Sequence, residues 1–171
     1  TQDAFNNRSL NLYLSLGFRF TAPLAFLSRP AGEVGPVEWD PGMTCRAEVV
    51  QEHSHDASVL HASLLGFVRP VPFSALVVRL EGGPILGYIE DNRSYPHGCA
   101  TSVSVQLKLI VHLIGRHSAA AVCVGVPFDG NAQLALGLRP YGFAQVRPVN
   151  LMTRGSFQPS TTTAYLTTSQ Y

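Results

Sequence analysis

The sequence predicts a mixed α/β fold, a sheet covered by helices, and three observations point there. Short β-prone runs alternate with segments of helical spacing along most of the chain. Two of those runs, ALVVRL and ILGYIE, flank a Gly-Gly-Pro turn and predict a hairpin over 75–90. A unit made of an Asn, an apolar helix-length stretch, a Gly-Phe pair and a strand occurs twice, over 6–29 and again over 131–154.

The first copy of that unit, NNRSLNLYLSLGFRFTAPLAFLSR, gives conflicting signals. Leu10, Leu12, Leu14, Leu16 and Phe18 alternate as in a strand. Asn6 or Asn7 can cap a helix start, however, and Gly17 can supply the left-handed residue just past its end. The caps favour a helix over 7–16, followed by a strand over 18–27. The next stretch, SRPAGEVGPVEWDPG, is rich in Pro and Gly and reads as a linker over 31–42. TCRAEVV alternates and is β-prone. HDASVLHASLLGF has helical spacing through Val59, Leu60, Leu64 and Phe67.

Beyond the hairpin, the polar loop DNRSYPHG leads into a helix over 101–115 with Leu107, Ile110, Val111 and Ile114 on one side. AAAVCVGVP reads as a buried, central strand. NAQLALGLRPYGF repeats the pattern of Asn start and Gly end, with Pro140 crowding its last turn. FAQVRPVNLMTR is the next strand, and PSTTTAYLTTSQY is an edge strand or a mobile end.

A chain of 171 residues can bury one full core but not two. Charged residues make up only 13%, and the net charge of +1 gives no footing for nucleic acid or an anionic membrane. The longest strongly apolar run, AAAVCVGV, is far shorter than the roughly 20 residues of a membrane-spanning helix. No secretory signal opens the sequence, and a start at Thr1 suggests a processed or excised piece. Cys45, Cys99 and Cys123 lack CxxC spacing and read as small buried hydrophobes in a reducing, cytoplasmic setting. The pair His53 and His55 in EHSHD sits where a helix begins, so no metal site is expected.

The two units align without gaps. Gly142 lies 125 positions after Gly17, and Asn131/Asn6, Phe143/Phe18, Pro148/Pro23 and Arg154/Arg29 share that spacing. The natural reading is one domain-length repeat. NNRSLNLYLSLGF also resembles the late helix of the GNAT superfamily of N-acyltransferases. In that family an Asn opens the helix, a Tyr follows seven residues later, and Gly-Phe ends it four residues after the Tyr. Asn6, Tyr13, Gly17 and Phe18 meet every spacing, whereas the second unit has Leu138 at the Tyr position. The resemblance implies a GNAT-like mixed sheet preceded by a helix-strand unit from a first copy. Residues 1–30 would close that first copy, 31–42 would link, and 43–171 would be a second, divergent copy.

The resemblance further implies acyl transfer from acetyl-CoA to a small-molecule or peptide amine, incomplete or weak in this chain alone. Tyr13 would protonate the departing CoA sulfur, and Asn6 would contact the CoA arm. As bare residues, they are equally an amphipathic-helix position with a wet hydroxyl and a helix cap. In the second copy, YPHGCA precedes a helix, as the family's phosphate loop does, and offers Gly98 and Ala100, with Asn131 as the counterpart of Asn6. Tyr95 replaces the loop's basic or amide residue. The room between hairpin and loop is scarcely enough for the strand that pairs with the pantetheine arm. Two other readings remain open: a non-catalytic GNAT-like module for dimerisation, stability or ligand sensing, and a small unrelated α/β binding domain. A split sheet with a parallel contact would exclude the last. The leucines of 7–27 cannot all stay solvated, so this segment should either add a strand to the following domain or form a homodimer.

Overall fold

The computed structural model describes residues 2–49, 54–66, 74–128, 131–155 and 164–166. In chain order the elements are β1 (Gln2–Asp3), α1 (Asn7–Ser15), β2 (Arg19–Arg29), β3 (Met43–Val49), α2 (Ser54–Leu65) and the hairpin β4 (Ser74–Leu80) and β5 (Ile85–Glu90). There follow β6 (Gly98–Ala100), α3 (Val103–Arg116), β7 (Val122–Pro127), α4 (Ala132–Leu138) with a 3-10 turn at Arg139–Tyr141, β8 (Ala144–Thr153) and β9 (Ala164–Leu166). The mixed α/β class is the one predicted, as are the helix–strand order and the hairpin. Phe67, where the second predicted helix ends, lies outside the described residues, as does most of the C-terminal tail.

The strands form two antiparallel sheets. One has the order β1-β8-β2-β7 and the other β3-β4-β5-β6-β9. The sheets touch where Ser94 and Cys123 make an isolated parallel bridge, with Tyr95 N–H donating to the Cys123 carbonyl and Cys123 N–H to the Arg93 carbonyl, both at 2.8 Å. Beyond that apex β6 and β7 diverge into different sheets. Tyr95 turns the chain at a positive φ of 53°, an uncommon conformation for a residue with a Cβ, while its ring packs 4.4 Å from that of Phe26. A split sheet with a parallel contact at its apex is thus present. The predicted central strand, β7, ends the ladder of its own sheet and meets the other at this bridge and at β9.

β2 joins the sheet of β7 and β8, the strand addition expected for this segment. It lies between β8 and β7, both edges paired, and runs to Arg29 because Ser28 and Arg29 find partners in Cys123 and Val122. Its alternate residues face opposite cores. Ala25 and Leu27 join the cluster under α3 and α4. Leu24 and Phe26 join the one under α2, with Leu65, Tyr88, Val149 and Tyr165. Burying both faces of a strand explains why its sequence reads as a nearly continuous apolar run rather than an alternation.

α3 is the expected amphipathic helix; of its predicted face Ile110, Val111 and Ile114 are buried and Leu107 partly so, with Leu109 and Leu113 joining them. Ser102 Oγ accepts from Val105 N–H at 3.3 Å to cap its start, and Leu109, Ile110, Leu113 and Ile114 are fully buried. Its far end is pinned by Asp91, which takes Arg116 at 2.9 Å and His117 at 3.0 Å. The linker crosses this helix: Lys108 pairs with Asp40 at 2.7 Å, and Trp39 packs against His112. The Arg29 guanidinium fastens the linker's start, donating to the carbonyls of Pro30, Gly32 and Glu33, while its Nε reaches the Tyr141 carbonyl at 2.7 Å.

Candidate functional site

The residues that the sequence singles out fall into two groups, which the fold keeps apart. Asn6 and Tyr13 belong to α1, beside β1 at the outer edge of the first sheet. Gly98, Ala100 and Asn131 gather on the opposite side, around the fork between β6 and β7.

In the first group Asn6 Oδ1 accepts from Ser9 N–H at 3.0 Å, the cap its sequence position predicts. Gly17 has a φ of 82° and ends the helix, and Phe18 N–H reaches back to the Tyr13 carbonyl at 3.0 Å. Tyr13 is half-buried with its ring edge-on to Phe18, centroids 5.3 Å apart. This is a well-formed helix end. α1 itself buries none of its residues.

In the second group the sequence expectation needs correcting at one point. Gly98 and Ala100 do not sit in a loop before the helix; they are fully buried in β6, paired with Ile89 and Gly87 of β5. The strand is short but present, and the turn ahead of α3 is only Thr101 and Ser102. The reason is steric. A Cβ at Gly98 would lie 2.6 Å from the Tyr88 carbonyl oxygen, and one at Gly87 would lie 2.7 Å from the Cβ of Ala100. These small residues permit close strand contact, which a residue-by-residue pattern does not distinguish from a ligand-accommodating loop.

Asn131 differs from Asn6 in what its side chain holds. It starts α4 without a side-chain cap bond, is fully buried, and its Oδ1 accepts from the backbone N–H of Tyr165 in β9 at 3.0 Å. β9 in turn lies on the free edge of β6, with Gly98 opposite Leu166, Cys99 opposite Tyr165 and Ala100 opposite Ala164. Four chain segments therefore meet at the fork: β6, the N-terminus of α3, the start of α4, and β9.

Sequence reading missed a buried polar cluster behind β6. His61 of α2 and His97 approach Nε2 to Nε2 at 2.9 Å, and the Glu90 carboxylate accepts from His97 N–H at 3.0 Å and Asn92 Nδ2 at 3.2 Å. A hydrogen bond between two imidazoles requires one ring to donate and the other to accept, so the pair shares a proton. The cluster fastens α2 to the turn that feeds the fork. No spacing in the sequence signals it, because its members come from a helix, a strand end and a loop.

Among the described residues, no three His, Cys, Asp or Glu side chains converge as metal ligands. His53 lies outside the described residues. The three cysteines are free, and burial pushes the Cys45 and Cys99 thiols up to about 12, so both stay protonated and unreactive. No described helix is long and apolar enough to cross a membrane. A cleft of about 450 Å³ lies between the linker's start and the 3-10 turn, walled by Arg29, Glu33 and Tyr141 among others.

No family model and no curated protein matches the chain. Solved structures do. A GCN5-related N-acetyltransferase from Sphaerobacter thermophilus superposes with a TM-score of 0.58 at 15% identity, over 88% of this chain and 57% of that one. A candidate acetyltransferase from Pyrococcus horikoshii superposes with a TM-score of 0.63 at 14% identity, over 98% of this chain and 57% of that one. The chain has the GNAT fold, and it spans little more than half the length of these two neighbours.

Proposed function

We propose that the chain is part of a two-copy GNAT-type N-acyltransferase, moving an acetyl or other acyl group from acetyl-CoA to an amine. Residues 1–30 close one copy, 31–42 link, and 43–171 form the second. The observation that carries this reading is the fork. A parallel contact at Ser94 and Cys123 opens immediately ahead of a capped helix N-terminus, and the fork's far wall leads to Asn131 at the start of α4.

The repeat supports it at the level of single hydrogen bonds. Gly17 and Gly142 both take left-handed φ values, 82° and 84°. Phe18 N–H donates to Tyr13 O as Phe143 N–H donates to Leu138 O, and Gly17 to Leu14 O as Gly142 to Arg139 O. β2 and β8 then pair antiparallel with Leu24 opposite Val149, which are equivalent positions in the repeat. A pseudo-two-fold axis passes between them.

In this reading the fork's β6 edge, with Gly98 and Ala100, receives the pantetheine arm of the coenzyme. The amide groups at the start of α3 receive its pyrophosphate, as helix N-termini favour anions. Asn131 and Asn6 contact the arm in their respective copies. The amine nitrogen attacks the thioester carbonyl, the C–N bond forms, and the C–S bond breaks as the tetrahedral intermediate collapses. The nitrogen gives up a proton to solvent, and the thiolate takes one from the Tyr13 hydroxyl, which regains its own from solvent. Leu138 offers no such proton, so chemistry depends on the copy that Tyr13 serves. The setting is a reducing cytoplasm, where the three thiols remain free.

Calorimetric titration tests the coenzyme part. Saturable binding of acetyl-CoA, or of the coenzyme's adenosine bisphosphate half alone, supports a site in this chain. An absence of heat from both ligands up to millimolar concentration overturns it.

A further inference from the structure

We infer that β9 regulates the coenzyme site of the second copy by occupying it, a reading that rests on the proposed function. β9 fills the fork: its backbone pairs with the outer edge of β6, and it also contacts β7. The Tyr165 amide takes the acceptor of Asn131, the residue set at the start of α4. An extended ligand bearing secondary amides, such as a pantetheine arm, needs the same edge and the same side-chain oxygen. An edge strand accepts one partner at a time, so the two occupants exclude each other.

Two contrasts within the molecule strengthen this. Asn6 spends its side-chain oxygen on its own helix, at Ser9 N–H, whereas Asn131 leaves its helix uncapped and turns its oxygen to β9. β9 is also anchored through both cores. Tyr165 packs in the cluster under α2, and Leu166 in the cluster under α3 and α4. Among the described residues its pairing with β6 covers three positions, at an edge that an extended ligand could take instead. Coenzyme affinity is then reduced by the fraction of molecules in which β9 is out, about ten- to a hundredfold for a docked state favoured by that ratio.

The test compares the full chain with a variant ending at Gly155, both checked for folding by circular dichroism. Acetyl-CoA should bind the shortened chain at least about tenfold more tightly, while the adenosine bisphosphate half, which has no pantetheine, binds both alike. Equal acetyl-CoA affinity for two folded chains overturns the inference and leaves the coenzyme site standing. Failure of both ligands on both chains overturns the site and the inference together. Hydrogen exchange on the unshortened chain decides the matter even if the variant does not fold. Saturating acetyl-CoA should raise exchange at the 164–166 amides while lowering it around 101–105, and unchanged or greater protection at 164–166 counts against displacement.

Discussion

The helix-strand unit at residues 6–29 and its counterpart at 131–154 share capping geometry and turn hydrogen bonds, yet they differ in what covers them. α4 buries Leu134 and Leu138 completely against the core beneath α3. α1 buries nothing, and Phe5, Leu12, Leu14, Leu16 and Phe20 around it are exposed. On the matching flanks, β7 lies beside β2 as a six-residue strand, while among the described residues the two of β1 lie beside β8. Local sequence is therefore enough to make the unit, while its burial depends on what packs over it: α4 is covered by the core beneath α3, and α1 is not. Under the proposed two-copy reading, the exposed apolar face around Tyr13 is where a further body or a second chain would pack.

The largest test of that contrast is in the apolar residues. Leu138→Ala should cost about 2–5 kcal/mol in urea unfolding, whereas Leu12→Ala should change stability by about 0.5 kcal/mol or less. Similar losses at both sites would mean that α1 is covered in solution. Oligomeric state checks this directly. Light scattering at micromolar concentration should report a dimer only if chains pair through residues 7–27, and the Leu12→Lys, Leu14→Lys double variant should then be monomeric. A wild-type monomer leaves the face to a body of another kind.

The two asparagines should separate next. Asn131→Ala strands the buried Tyr165 N–H and should cost about 1–3 kcal/mol. Asn6→Ala removes an exposed cap and should cost about 1 kcal/mol or less of stability. The smaller loss at Asn131 would argue against its hold on β9. If Tyr13 serves catalysis in the complete two-copy enzyme, Tyr13→Phe should leave stability unchanged and lower turnover by about a hundredfold or more.

The smallest effect is expected from acid. Burial by itself would raise the Asp91 carboxyl, but hydrogen bonds and charge from Arg116 and His117 hold it below its ordinary value. A carboxyl depressed in the folded state contributes stability that is present above its unfolded value, near pH 3.9, and lost as pH falls through the folded one. The loss should loosen the end of α3, and with it the cover of α4, while α1 is unaffected. Arg116 is half exposed, so solvent screening keeps the effect small. Asp91→Asn should remove this pH dependence, which sets in as pH falls below about 4, measured by thermal unfolding in acid.

The two site groups were unequally legible. Asn6 bonds to Ser9 and Gly17 to Leu14, each within one helical turn, so the two cap roles could be read from neighbours in sequence. Gly98 and Ala100 were expected in a loop, because the demand for small side chains comes from Tyr88 and Gly87 on another strand. The His61–His97 pair has no local signature for the same reason.

By itself the sequence determined the alternation of helices and strands, the hairpin at Gly82–Pro84, the caps of α1, and the spacing of the repeat. Each of these depends on backbone preferences or side-chain contacts within a few residues. Only the tertiary structure decided that β2 enters between β8 and β7, that β6 is a strand, and that β9 fills the fork. Those outcomes depend on which edges and apolar faces meet between separate elements, from the neighbouring strands β5 and β6 to residues as distant as Asn131 and Tyr165. Strand pairing uses backbone groups that every residue carries, so the partner is chosen by the assembled shape of the fold.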